Sequence, residues 1–222
     1  MLKRSCVILF LAAMLPLSAN AQQTVYSNGP INGTTDAWTI NSGFVVSDTF
    51  TVPIGGAPVD ELEFGAWAFP GDVLESAEVS ITSSEFGGTA YSDQIVNFTQ
   101  SGCSGNQYGF NVCTETGVFA ISVNLVQGTY WLNLSNAVVN SGDSIYWDEN
   151  SGPSSASESS VGTIPSEAFT ILGRGQTCGL AGINCTTTTY PPSVPEPGSL
   201  LLFASGIFAV RGFSRLWRGK RF

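Results

Sequence analysis

Asp143-Ser144-Ile145-Tyr146-Trp147-Asp148-Glu149-Asn150 gathers oxygen donors and two aromatic rings into one short stretch. This is sugar-binding chemistry: a flat ring stacks on a pyranose face while carboxylates and amides bind its hydroxyls. Trp147, Asp148 and Glu149 are the expected ligand-binding residues. If the stretch is extended, Ile145 and Trp147 face one way and Tyr146 and Asp148 the other, so only one ring sits outside. The competing reading puts Trp147 in the core and starts a turn over Asp148 to Asn150. Trp67 and Trp131 lie opposite the apolar faces of their own segments, as an exposed platform or as edge packing.

Calcium is the second chemistry. Hard cations want several carboxylate and carbonyl oxygens, and Asp36, Asp48, Asp72, Asp143, Asp148 and Glu149 supply them, without a D-x-D-x-D-G loop. Catalysis has little to work with. The chain contains 0 His, which removes imidazole bases and His metal ligands. Paired carboxylates remain, with Glu61, Glu63, Asp148 and Glu149 as the available set for a glycosidase. The nucleophile-elbow, dinucleotide and P-loop patterns are absent. The expectation is a non-enzymatic protein with no cofactor, Ca²⁺ being the ion its residues could take.

These residues must be held by β-structure. Period-two alternation marks Ala77-Val79-Ile81, Phe119-Ile121-Val123-Leu125, Tyr130-Leu132-Leu134 and Leu62-Phe64-Ala66-Ala68 as the inward faces of strands. Phe44 to Val52 is another strand, ended by Pro53. Val25-Tyr26, Tyr91 to Phe98, Ile145 to Asp148 and Ala168 to Leu172 are weaker segments. No long helical period runs between Gln22 and Thr189. The spacing predicts an all-β, antiparallel, jelly-roll-like sandwich over residues 22–175.

Charge and cysteine placement point outside the cytosol. Sixteen of the 17 acids lie between Asp36 and Glu167, against Arg174 as the lone base of the middle. Such a body repels nucleic-acid phosphate, which excludes that class of partner. Lys3 and Arg4, an apolar stretch from Cys6 to Leu17, and Ala19-Asn20-Ala21 form an export signal over residues 1–21. Cleavage after Ala21 makes signal peptidase and the Sec translocon the expected partners. Four cysteines then remain in an oxidising compartment. Three pairings are open; proximity favours Cys103–Cys113 and Cys178–Cys185. A four-Cys zinc site is the alternative, at spacings unlike C-x₂-C.

Residues 176–193 form a Cys/Thr/Pro-rich linker that cannot pack a core. Val194-Pro195-Glu196-Pro197 follows. An apolar run comes next, with Ser199, Leu200, Leu201, Leu202, Phe203, Ile207, Phe208 and Val210 as its membrane residues. A basic end closes the chain: Arg211, Arg215, Arg218, Lys220 and Arg221. As a helix, the run from Ser199 to Val210 reaches about 18 Å. Extension through Leu216 and Trp217 brings it near a span, with the basic end cytoplasmic.

The tail from Val194 to Phe222 resembles a PEP-CTERM sorting signal. That resemblance implies recognition of Pro-Glu-Pro by an exosortase, a transient stay in the inner membrane, and delivery to the cell surface or an extracellular polysaccharide matrix. The body is similar to exported β-sandwich domains that precede such tails. Tyr26-Ser27-Asn28-Gly29-Pro30, Val46-Ser47-Asp48-Thr49-Phe50, Gly128-Thr129-Tyr130-Trp131-Leu132 and Ile145-Tyr146-Trp147-Asp148-Glu149 carry the likeness. It implies architecture and no activity.

Overall fold

A computed structural model describes residues 22–174. Ala19 and Ala21, Cys178 and Cys185, the Val194–Pro197 element, the apolar run and the basic end all lie outside the described residues. Among those described there are strands and no helix. In chain order they are β1 (Gln22–Ser27), β2 (Ala37–Thr39), β3 (Val45–Val52), β4 (Ala57–Ala68), β5 (Leu74–Ser84) and β6 (Gly87–Gly105). β7 (Asn111–Leu125), β8 (Gly128–Val139), β9 (Tyr146–Asp148), β10 (Ala156–Glu158), β11 (Gly162–Ile164) and β12 (Phe169–Arg174) follow.

All pairings are antiparallel, in the order β1-β12-β4-β7-β6-β5-β8-β3-β10-β11, with β9 joining β2 to β4. The expected sandwich is therefore one curled sheet. Its fold line lies in β6, which pairs with β5 as far as Asn97 and with β7 from Phe98 onward. A strand of 19 residues can serve both layers because each half satisfies its backbone groups on a different neighbour. The sequence marked only the stretch from Tyr91 to Phe98, since polar residues continue the strand on both sides.

Alternation sends Val46, Phe50, Val79, Ile81, Leu132 and Leu134 from one layer against Leu62, Phe64, Phe169 and Ile171 from the other, all at the bottom of the exposure range. Each such side chain contributes about 1.5–3 kcal/mol by leaving water. The alternation fails once. Ile121, expected inside, is 71% exposed. The β4–β7 register jumps there, from Val59↔Val123 to Glu61↔Val118, so extra residues of β7 bulge outward. The Gln94 side chain holds the bulge, accepting from the Ile121 N–H at 2.9 Å and donating to the Ile121 carbonyl at 2.9 Å.

Candidate functional site

Trp147 is fully buried. β9 is sandwiched between β2 and β4, so both its edges are paired and its inward residue must enter the core. The ring meets Phe64 and Phe169 edge-on at 5.9 and 5.5 Å, and its indole N–H donates to the Ala168 carbonyl at 3.0 Å. Of the two readings of Trp147, the core one holds, and the exposed sugar platform is corrected: the ring is buried in the core cluster. The turn reading of Asp148 is corrected too, since it ends β9 in register with Ala37.

Asp148 leaves β9 on the opposite face and works as a pin. Its carboxylate accepts the backbone N–H groups of Asn32 at 2.8 Å and Gly33 at 2.9 Å, and the Trp67 indole N–H at 2.6 Å. Burial pushes its carboxyl up, and those three donors pull against that shift. The segment through Asn32 and Gly33 is thereby fixed over β4. Gly65 lets it approach: a Cβ there would lie 2.8 Å from Ile31 and 2.9 Å from Asp148. Glu149 accepts the Trp38 indole N–H at 3.1 Å and is pushed up by burial, then by Asp36 and Asp148.

A second cluster ties the two layers together. Asp48 of β3 accepts the Glu167 N–H at 2.7 Å and the Asn28 amide at 3.2 Å, while that amide also donates to the Glu167 carbonyl at 2.7 Å. Burial pushes Asp48 up to about 6. Glu167 bridges Glu149 across the sheet and is fully buried, with neither carboxylate oxygen hydrogen-bonded. Burial and the surrounding Asp48, Glu149, Asp148 and Asp36 raise it well above the ordinary carboxylate range. Of the six expected calcium residues, Asp36, Asp48, Asp148 and Glu149 thus gather around Glu167. Among the described residues, no three acidic side chains converge at metal-binding distance.

A surface cleft of about 590 Å³ lies between the Asp148-pinned segment and the β6–β7 end. Asn32, Thr34, Ser104, Gln107 and Thr114 line it, with Cys113 in its wall. Cys113 is bonded to Cys103, which joins β6 to β7 beside the cleft. Tyr108 stands next to it, 53% exposed, stacked on Trp67 at 5.5 Å and 21°. Trp67 itself is buried and packs against Tyr108 and Phe110, so the exposed platform expected there is corrected to packing. Trp131 is half-buried on β8, in register with Thr49 and Thr82. Sequence reading passed over Ser104, Gln107 and Tyr108 as a polar loop between cysteines. Their signal was an uncharged polar run with one aromatic, in a body whose charges are nearly all acidic.

Comparison with known families finds the PEP-CTERM protein-sorting motif at residues 193–218, over the Pro-Glu-Pro element and the apolar run. No curated protein and no solved structure matches the chain.

Proposed function

We propose that this chain, an exported protein carrying a PEP-CTERM sorting tail, is a non-catalytic component of the cell surface or of an extracellular polysaccharide matrix. The match at residues 193–218 carries the reading, because exosortase sorting is what that motif serves. The N-terminal signal exports the chain, and the tail holds it in the inner membrane until it is processed there, leaving the acidic sandwich outside. The Cys103–Cys113 bond suits an oxidising destination. The carboxylates also support a display role over turnover. Asp148 is occupied by three donors, Glu149 by the Trp38 indole, and Asp48 and Glu167 are buried between layers. None of them lines the cleft.

The test is to express the full chain and a version ending at residue 193 in a host that has an exosortase, then fractionate the cells. The full chain should reach the surface or matrix fraction, and the shortened one should accumulate in the periplasm or medium. Identical fractionation would end the sorting reading.

A further inference from the structure

The cleft is uncharged in a body that is otherwise acidic. Sixteen acids lie between Asp36 and Glu167, yet none lines it. Its side chains are hydroxyls and carboxamides. Those of Ser104, Gln107 and Thr114 make no hydrogen bond among the described residues, so their donors and acceptors are free for a ligand. Its volume falls within the range of ligand-binding clefts, roughly 300–1,000 Å³.

The walls are held in place before any ligand arrives. On one side, Asp148 fixes the N–H groups of Asn32 and Gly33. Gly33, at φ +63°, packs so tightly on Val112 that a Cβ would lie 2.5 Å from it. On the other side, the Asn106 carboxamide accepts the N–H groups of Tyr108 and Phe110 at 3.0 Å each, shaping the turn. The Tyr108 hydroxyl donates to the Thr34 carbonyl at 3.4 Å, linking the two sides. The Cys103–Cys113 bond locks the strands beneath. A cleft already in its bound shape loses little entropy on filling.

We infer that this cleft binds a short stretch of a neutral polysaccharide, with Ser104, Gln107 and Thr114 of its lining as the hydroxyl-reading groups and Tyr108, which stands at its edge on Thr34, as the stacking ring. Sugar hydroxyls both donate and accept, which matches serine, threonine and glutamine chemistry and leaves no fixed charge buried. The C–H face of a pyranose suits an aromatic ring backed by a second one, and Trp67 backs Tyr108. Uronic-acid polymers are disfavoured by the acidic surroundings. The inference deepens the matrix role proposed above and rests on the sandwich being delivered to where polysaccharide is.

The experiment is affinity electrophoresis of the full chain in a sugar-free detergent, through native gels containing dextran, galactomannan, xyloglucan or alginate. Retardation is expected in at least one neutral gel and not in alginate. Gly105→Trp puts a bulky ring on the cleft lining: nothing lies within 4 Å of a Cβ at Gly105, and its φ is outside the left-handed region. It should weaken the retardation at least tenfold, as should Tyr108→Ala. Gln107→Ala changes an exposed side chain with no structural bond and should weaken it several-fold without shifting the melting temperature. No retardation in any neutral gel overturns the inference, as does equal retardation in alginate or retention of full binding by both Gly105→Trp and Gln107→Ala. Delivery of the full chain to the surface is read separately by fractionation, so loss of one reading is distinguishable from loss of the other.

Discussion

Glu115 shows how a single buried acid sets a pH dependence. It points inward from β7, fully buried, and its Oε1 accepts the Gln100 amide at 2.9 Å while Oε2 has no partner. Burial pushes it up to about 7, from an ordinary value of 4.5. Asp48 and Glu167 are shifted the same way. A carboxyl with a raised folded-state pKa binds its proton more tightly folded than unfolded. Its stabilisation is complete below about pH 4 and is lost as pH rises through the folded value. The sandwich should therefore lose stability between pH 4.5 and 7, opposite to the common acid-labile pattern. Glu115→Gln should leave urea stability near pH 4 unchanged and raise it by about 3 kcal/mol at pH 8. Equal effects at both values would contradict the assignment. Asp148→Ala acts differently, since it strands three donors, two of them buried. It should cost about 1–3 kcal/mol by thermal melting and weaken whatever the cleft holds.

At the scale of the strand, burial follows register and not hydrophobicity alone. Leu132 and Ile121 both sit in sequences that alternate cleanly. Leu132 is 0% exposed and faces the opposite layer, while Ile121 lies on the outward bulge of β7. Leu132→Ala should cost about 2–5 kcal/mol in denaturant unfolding. Ile121→Ser should stay within about 0.5 kcal/mol. The Cys103–Cys113 bond closes a short loop between β6 and β7, so replacing both cysteines by serine should cost roughly 2–3 kcal/mol. It should also loosen the cleft wall beside it, read as weaker polysaccharide retardation.

Over the whole molecule, one excess of acids on the sandwich and two basic ends give a strongly asymmetric charge. Self-repulsion in the body is screened by salt, so the melting temperature should rise between 10 and 150 mM NaCl, the range in which the Debye length shrinks from about 30 to 8 Å. A flat salt response would mean the acids are already compensated. The sequence alone was enough to mark the sorting tail, because Pro-Glu-Pro, a short apolar run and a basic cluster are contiguous and need no folding to be read. It was also enough for the β class and for most inward faces, because period-two alternation is a local consequence of the strand backbone. Only the tertiary structure decided that Trp147 is core, that Asp148 clamps a distant segment, that β6 serves two layers, and that a neutral cleft opens beside a disulfide. Each of these depends on which strand lies next to which, and that is set by contacts between residues far apart in the chain.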